Sequence, residues 1–235
     1  MILGDFFMSN LLLAKMFEKV MFDKSFDLTY VFKSIVTRWY LYVLLLVVFL
    51  ALFLFAYSKK QPKRNNLSKT QRMAYMAMFS ALAVAVNILQ IPFPLIQVSF
   101  VATVAFLAGV LLGAVDGFVV AFLGDLIAGI IAPLGVYSPI IGIGTGLLAF
   151  VPGLVFSHVR GRIWLKSIIV YLITFVITSM LINTVGLAMI YSYMSLAERI
   201  ALLPATLLVH AINCVLSIIM TKVLKKSLPL SKFYI

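Results

Sequence analysis

The chain has 235 residues, of which 64% are hydrophobic and 11% are charged, and its formal net charge is +12. A water-soluble domain is closer to roughly half apolar and a quarter charged, and a core of this size could not hide so much apolar surface from water. Composition therefore excludes an ordinary soluble domain and indicates an all-α protein with several membrane spans. In such a protein, topology and anionic headgroups account for the positive charge better than nucleic acid does.

The N-terminal part is predicted to hold two membrane-associated segments and a linker. Residues 1–38 mix charges with apolar positions at helical spacing, which predicts an amphipathic helix at the membrane interface. Residues 39–57 form an apolar run with aromatic ends, long enough for one extra transmembrane helix. Residues 58–69 are basic and contain no acidic residue, so we expect this linker in the cytoplasm.

The rest of the chain is predicted to be a six-helix membrane domain over residues 70–224, followed by a basic tail over residues 225–235. The helices are expected at residues 70–90, 99–115, 117–132, 139–158, 167–191 and 199–222. Proline and glycine mark the connections, and Asp116-Gly117 is predicted to form a tight turn between the second and third helices. Because the connections are short, consecutive helices should lie antiparallel.

Basic residues fall almost entirely on one side of this six-helix domain. Thirteen of them lie in residues 58–72, in residues 158–166 and after residue 221, whereas Arg199 stands alone on the other side. The positive-inside rule therefore predicts that the basic side, including the C-terminus, is cytoplasmic.

A few polar residues fall inside the predicted helices, where they are costly unless they face the bundle interior. Asp125 is the one carboxylate well inside a span, and Asn87 and Asn183 lie toward the outer ends of two helices. A polar stripe follows the last helix at spacings of four, three and four, through Thr206, His210, Asn213 and Ser217. Polar groups that converge from the midplane outward are the expected form of a small-molecule pocket.

Each of these residues also has a structural explanation, because polar side chains in membrane helices often bond a neighbouring helix or their own backbone. That interpretation is preferred for Ser217, and it is an equal alternative for Asn183 and Asn213. His210 taken alone is more often a packing residue than a ligand. Asp125 is either structural or part of a proton relay, for which His210 is the only candidate partner.

The sequence contains no recognisable catalytic or metal-binding pattern. It has no His-Glu-x-x-His spacing and no Gly-x-x-x-x-Gly-Lys-Ser/Thr loop, and its single cysteine, Cys214, lies in an apolar run. We therefore predict that the chain is not an enzyme, binds no metal or cofactor, and does not itself use ATP.

Small residues recur every four positions on three of the predicted helices, a pattern that lets helix backbones approach closely. For the two sets that contain glycine, packing within the domain is the preferred interpretation. The alanine set follows the basic linker and could instead be a docking face for another membrane subunit. The three sets are Gly109, Gly113 and Gly117; Gly124, Ala128 and Ala132; and Ala77, Ala81 and Ala85.

Five segments follow one another along the six-helix domain, over residues 68–225. They are Ala77-x-x-x-Ala81-x-x-x-Ala85, Ile91-Pro92-Phe93-Pro94 with Val98-Ser99-Phe100, residues 108–114, residues 124–129 with 133–139, and Leu181-Ile182-Asn183-Thr184 with Leu203-Pro204-Ala205. This ordered set resembles the substrate-binding S component of an energy-coupling factor (ECF) vitamin transporter, most like the folate-type branch.

The resemblance implies a division of labour between this chain and its partners. The chain would bind a vitamin or a related small molecule from outside, in a pocket closed by residues 91–98, 133–138 and 192–198. It would dock through Ala77, Ala81 and Ala85 on a transmembrane coupling subunit driven by two ATPases, in the cell membrane of a bacterium. The residues expected to contact the ligand are Asn87, Gln97, Tyr137, Asn183, Thr206 and His210.

Two positions depart from the folate-type pattern. Thr206 stands where an Arg usually follows Leu-Pro-Ala, and Gln97-Val98 stands where a basic residue tends to precede Ser-Phe. A pocket poor in basic groups suits an uncharged or weakly charged ligand, although backbone amides of the outer loops could also hold an anion.

The alternative function is an ion- or proton-coupled secondary transporter. Such a protein needs intramembrane acid–base partners and often has inverted repeats, whereas this chain offers one Asp, one His and no convincing repeat. A membrane receptor or an assembly factor without transport activity also remains compatible with the sequence.

Overall fold

The computed structural model describes residues 68–92, 97–131, 139–159, 161–186 and 196–227, together with five helical positions upstream: Tyr40, Val43, Val47, Leu50 and Leu54. The predicted amphipathic segment, residues 1–38, lies outside the described residues. So do the linker up to residue 67 and Tyr137, in the connection over residues 132–138.

Within residues 68–227, the described part of the chain is helical except for one short hairpin, so the all-α prediction is confirmed apart from this pair of strands. In the hairpin, Ile91 lies opposite Val98 in an antiparallel pair. Helix α5 continues without a break into a π-helix over Phe175–Gly186, here called the π segment. The elements are α1 (Lys69–Ile88), β1 (Ile91–Pro92), β2 (Gln97–Val98), α2 (Val101–Leu112), α3 (Ala114–Ile131), α4 (Pro139–His158), α5 (Ile163–Thr174), α6 (Leu196–Ala201) and α7 (Leu203–Ser227).

Two connections differ from those expected. The turn between α2 and α3 lies at Gly113, whose φ of 93° is in the left-handed region that glycine adopts at little cost. The predicted turn at Asp116-Gly117 is wrong, because both residues belong to the first turn of α3. The last predicted helix, over residues 199–222, is instead two helices, α6 and α7, separated at Leu202.

The start of α1 is fixed by a capping box. The Ser68 hydroxyl accepts from the backbone N–H of Gln71 at 3.2 Å, and the Gln71 side-chain oxygen accepts from the backbone N–H of Ser68 at 3.2 Å. These two bonds satisfy donors that would otherwise be left open at a helix start. Helix α4 begins at Pro139, where the missing N–H of proline costs nothing because first-turn donors have no partner within the helix.

Helix α2 lies at the centre of the bundle. It packs against α1, α3, α4 and α7, and eleven of its twelve residues are buried. Its Phe106 ring meets Phe156 of α4 edge-on, with centroids 5.5 Å apart, and stacks on Tyr171 of α5 at 5.6 Å. Offset and edge-to-face aromatic pairs of this kind stabilise a core beyond the area they bury.

Glycines allow the close approach of neighbouring helices in this bundle. A Cβ placed on Gly117 of α3 would lie 2.6 Å from the Gly109 Cα of α2, and one on Gly124 would lie 2.6 Å from the Ala83 Cβ of α1. Neither position tolerates a side chain without a backbone shift. The prediction that the glycine sets pack within the domain is therefore confirmed for Gly109, Gly117 and Gly124, whereas Ala132 lies outside the described residues.

The outer surface of the bundle is apolar. Among the described residues, four helices are long and apolar enough to cross a membrane: Ala114–Ile131, Pro139–His158, Ile163–Thr184 and Leu203–Lys226. Large side chains such as Leu172 (58% exposed) and Leu208 (63% exposed) point away from the protein. A soluble monomer rarely exposes so much contiguous apolar surface, so we describe the chain as a multi-pass membrane protein.

Candidate functional site

The first group of polar residues joins α1, α3 and α4, and we call Asn87, Gln90, Asp125 and Thr145 the aspartate cluster. Asn87 Nδ2 donates to Asp125 Oδ1 at 2.9 Å, and Gln90 Nε2 donates to Asn87 Oδ1. The Thr145 hydroxyl donates to the Ile141 carbonyl oxygen of its own helix at 3.1 Å and lies beside the Asp125 carboxyl. Asn87 is buried and Asp125 is half-buried. The intramembrane acid is therefore satisfied by polar partners inside the bundle, as its position requires.

The second group, the histidine cluster, joins the π segment to α6 and α7 through Ser179, Asn183, Arg199, Thr206 and His210. His210 Nδ1 lies 3.1 Å from the Thr206 carbonyl oxygen, which only accepts, so Nδ1 carries a proton. In the neutral ring Nε2 is then the acceptor, and the Ser179 hydroxyl lies 3.4 Å from it. The ring also meets Phe175 edge-on at 5.4 Å, so His210 is held in one orientation.

Arg199 and Asn183 meet within the histidine cluster. Arg199 Nη1 donates to the Asn183 backbone carbonyl oxygen at 3.4 Å, which connects α6 to the π segment. Both residues are half-buried. In the sequence, Arg199 stands out only as the one basic residue on the side of the domain that otherwise lacks them. The positive-inside rule does not explain an Arg at that position, so the position itself indicates another role for this residue.

Thr206 stands where the folate-type pattern has an Arg, and its hydroxyl is occupied within its own helix. It donates to the Leu202 carbonyl oxygen at 2.9 Å. The positive charge in this region therefore comes from Arg199, four residues before the Leu203-Pro204 segment, and not from the position that the resemblance indicated.

Helix α4 connects the two clusters. Thr145 of α4 lies beside Asp125, and its neighbour Gly144 lies against Ile182 of the π segment, where an added Cβ would be 3.3 Å from Ile182 Cγ2. Ile182 directly precedes Asn183. Of the residues predicted to contact a ligand, the structure thus places Asn87 on one side of this contact and Asn183, Thr206 and His210 on the other.

The inner part of the polar stripe on α7 is structural. Asn213 uses both amide hydrogens, donating to Val209 O at 2.9 Å and to Ser99 O at 3.0 Å, and its Oδ1 accepts from the Thr103 hydroxyl at 2.7 Å. Asn213 is 1% exposed and Ser217, 2.7 Å from the Tyr171 hydroxyl, is 0% exposed. These bonds join α7 to α2 and α5, which is the structural explanation preferred for Ser217 from the sequence.

Two further predicted ligand contacts lie at the edge of the described structure. Gln97 is in β2, opposite Pro92 of β1, and the hairpin follows directly on α1 and the aspartate cluster. Tyr137 lies outside the described residues. The role of these two residues stays a prediction.

Helix α1 has an open face made of small residues. Ala77, Ala81 and Ala85 are all exposed, whereas Phe79 and Ala83 on the opposite face are buried in the core. The side of α1 that bears the alanine set is therefore not used for packing by the described part of the chain. We call Ala77, Ala81 and Ala85 the alanine face.

Comparison with known proteins gives one family and one fold. A family model described as the ECF-type riboflavin transporter, S component, matches residues 66–228. A structure of the S component of a bacterial ECF transporter is similar with a TM-score of 0.57 at 18% identity, over 69% of this chain and 99% of that chain. A crystal structure of FolT bound with folic acid is similar with a TM-score of 0.55 at 19% identity, over 65% of this chain and 92% of that chain. No curated protein matches this sequence.

Proposed function

Because the chain belongs to the family of ECF-type riboflavin transporter S components, we propose that it is the substrate-binding membrane subunit of an ECF-type importer. The family is one of transport subunits and not of enzymes. The observation that carries the proposal is the combination of this family match with two polar clusters, connected through α4, inside an otherwise apolar bundle. A polar pocket within apolar walls is the usual form of a small-molecule site.

The proposed ligand is a vitamin or a related small molecule taken up from outside. The family description names riboflavin, and FolT in the similar structure is bound with folic acid, so both are reasonable candidates for this chain. We propose that Asn87, Gln97, Tyr137, Asn183, Thr206 and His210 line the site, and we add Arg199. The support for Asn87, Asn183 and His210 is that each carries a polar group into the bundle.

The proposed partners are a transmembrane coupling subunit and two ATPases, which would use ATP while this chain uses no cofactor. The proposed contact is the alanine face of α1. Its support is that three small residues are exposed together on a helix whose opposite face is buried. Small residues let a partner helix approach closely, which is how membrane helices associate in the absence of a hydrophobic driving force.

We further propose a six-helix S-component bundle, preceded by one extra N-terminal transmembrane helix, in the cell membrane of a bacterium. Tyr40, Val43, Val47, Leu50 and Leu54 are helical and exposed, which supports a helix in the predicted span over residues 39–57. The thirteen basic residues on one side support a cytoplasmic C-terminus.

A proton-coupled secondary transporter is not favoured by the geometry. The proton relay predicted for it would have to connect Asp125 and His210. Asp125 accepts from Asn87, whereas His210 bonds Ser179 and Thr206, so each residue is engaged within its own cluster.

Two measurements test the proposed function. The full-length protein is purified in detergent, and mass spectrometry identifies any small molecule that co-purifies with it, while riboflavin and folic acid are tested for thermal stabilisation. We expect one vitamin to be bound in stoichiometric amount or to raise the melting temperature. Uptake of that vitamin in cells should require a coupling subunit and ATPases. Uptake that persists without them, or a protein that binds no vitamin, would contradict the proposal.

A further inference from the structure

Three polar side chains form a hydrogen-bonded row from α3 to Gln90, the second residue after α1. Asp125 Oδ1 accepts from Asn87 Nδ2 at 2.9 Å, and Asn87 Oδ1 accepts from Gln90 Nε2. The oxygen and nitrogen of a side-chain amide are similar in size, so the direction of such bonds has to follow from the chemistry of the groups. In this row Asp125 sets the direction, because a carboxylate oxygen accepts and does not donate.

Asp125 fixes the orientation of the Asn87 amide, and Asn87 in turn fixes the orientation of the Gln90 amide. Asn87 must turn its NH₂ group toward Asp125, which places its oxygen on the side of Gln90. That oxygen requires Gln90 to donate an N–H, so the Gln90 amide is oriented as well. Gln90 retains its carbonyl oxygen Oε1 and one N–H, and in the described part of the chain its side chain forms no further hydrogen bond.

Gln90 is also next to one of the segments that are predicted to close the pocket. It directly precedes β1, and so it adjoins the segment over residues 91–98 that is predicted to close the pocket. Its side chain is half-buried and donates to Asn87 within the aspartate cluster. We propose that Gln90 is a specificity-determining residue whose oriented amide recognises a ring amide of the ligand, an N–H adjacent to a C=O. This inference rests on the proposed function, since it assigns a ligand group to the same site.

The orientation of the Gln90 amide is what gives the selectivity. A ring amide offers one donor and one acceptor, and Gln90 retains one acceptor and one donor to match them. A glutamine that rotates freely could also turn its NH₂ group toward a ligand that has only acceptors. When Asn87 holds the amide of Gln90 in one orientation, Gln90 Oε1 faces such a ligand and finds no donor. An unpaired buried polar group is strongly disfavoured.

The test measures binding of riboflavin and of folic acid, both of which contain a ring amide, to the purified full-length protein. Each vitamin is compared with its analogue methylated at the ring-amide nitrogen. The vitamin that binds more tightly, here called the unmethylated probe, is then used with its analogue to test the variants. We expect methylation to weaken binding to the unchanged protein about ten-fold or more. Gln90→Met should bind the unmethylated probe about ten-fold more weakly, and methylation should then cost less than about two-fold.

A matched control is Gln71→Met, which removes the glutamine at the opposite end of α1. It should keep both the affinity and the methylation penalty of the unchanged protein. Asn87→Leu provides a second route if Gln90→Met does not fold, because it leaves Gln90 in place but releases its amide. We expect the methylation penalty to fall at least three-fold in Asn87→Leu, roughly the effect of one lost orienting hydrogen bond.

The failures of the two proposals are distinguishable. If Gln90→Met binds the unmethylated probe as tightly as the unchanged protein, or keeps the full methylation penalty, Gln90 does not recognise the ring amide and this inference is overturned, while the proposed function stands. If the unchanged protein binds neither riboflavin nor folic acid, this inference is overturned, whereas the proposed function is overturned only if no vitamin binds at all or if uptake persists without the coupling subunit and ATPases.

Discussion

Asp116, at the start of α3, is paired with Arg72, at the start of α1, through two bonds from the guanidinium to both carboxylate oxygens. Asp116 is 3% exposed, so its charge is compensated inside the protein. Farther along the same two helices, Asn87 bonds Asp125. Helix α1, which bears the alanine face, is therefore joined to α3 by polar contacts near both of its ends.

The Arg72–Asp116 pair should contribute to stability. Arg72→Leu leaves the buried Asp116 carboxylate without its guanidinium partner, and we expect it to lower the free energy of unfolding by about 2 kcal/mol, somewhat less than for a fully buried pair because Arg72 is partly exposed. Arg72→Lys should have a smaller effect, because it keeps the charge but loses the two-pronged geometry. Thermal unfolding in detergent measures both variants.

The control for the ion pair is Arg162→Leu, which removes an exposed arginine just before α5. Its melting temperature should match that of the unchanged protein. Equal melting temperatures for Arg72→Leu and Arg162→Leu would mean that the pair contributes nothing measurable to stability.

Asn183→Ala should weaken binding of the vitamin several-fold while the protein remains folded, because the removed amide would otherwise form a paired bond worth roughly 1 kcal/mol or more. Titration of the purified protein with the vitamin that it binds measures this affinity. The neighbouring Thr184→Val is the control, since the Thr184 hydroxyl donates to the Ser179 carbonyl oxygen of its own helix. Unchanged affinity in well-folded Asn183→Ala protein would remove Asn183 from the site.

Arg199→Gln should distinguish a charged ligand from a neutral one. Folic acid carries carboxylates and riboflavin is uncharged, so loss of the guanidinium should weaken binding of folic acid about ten-fold and binding of riboflavin by less than about two-fold. The two affinities are measured on the same preparation. Equal losses for both vitamins would indicate that Arg199 acts only through its bond to Asn183, by connecting α6 to the π segment.

Asn213→Ala should affect stability and leave ligand affinity unchanged. The substitution removes the bonds that join Asn213 to the Ser99 carbonyl oxygen and to the Thr103 hydroxyl, each worth about 0.6 kcal/mol on average in membrane proteins, and also the bond to the Val209 carbonyl oxygen within α7. We expect a lower melting temperature, and an unchanged dissociation constant at temperatures where the variant is folded. A ten-fold weaker affinity in folded Asn213→Ala would place Asn213 in the binding site after all.

Ala81→Leu should leave vitamin binding intact and abolish uptake, because a larger side chain on the alanine face would block the proposed coupling subunit. Binding is measured on purified protein, and uptake is measured in cells that contain the full complex. Ala211→Leu makes the same change at an exposed alanine of α7 and should transport normally. Normal uptake by Ala81→Leu would show that the alanine face is not the contact.

Much of the fold could be predicted because local chemistry determines it. The start of α4 follows from Pro139, and the apolar runs of α3, α4 and α7 predict their lengths. The turn at Gly113 was missed because Asp116-Gly117 has the composition of a turn. Asp116 instead lies in the first turn of α3 and pairs with Arg72, 44 residues earlier, a partner that the local pattern does not reveal. The strands β1 and β2 were missed because two residues each are too few to show a period.

The site was predicted less completely than the fold. Asn87, Asp125 and His210 could be found because polar residues are rare in apolar helices. Gln90 and Arg199 lie at or beyond helix ends, where polar residues are common and carry little signal. The roles proposed for them depend on the groups opposite them, Asn87 in one case and the Asn183 carbonyl in the other. Pairings of that kind become visible only in three dimensions.

The shortness of α2 affects how deep the site lies. Twelve residues at 1.5 Å each make a helix about 18 Å long, whereas the hydrocarbon layer of a bilayer is about 30 Å thick. A helix can stop short of the headgroups only if protein surrounds it, and α2 is buried along nearly its whole length. One end of α2 adjoins Asp116 and its partner Arg72, so the missing roughly 12 Å falls at the other end, beside the hairpin. A molecule bound beyond that end would therefore lie at a depth where lipid hydrocarbon surrounds the outside of the bundle.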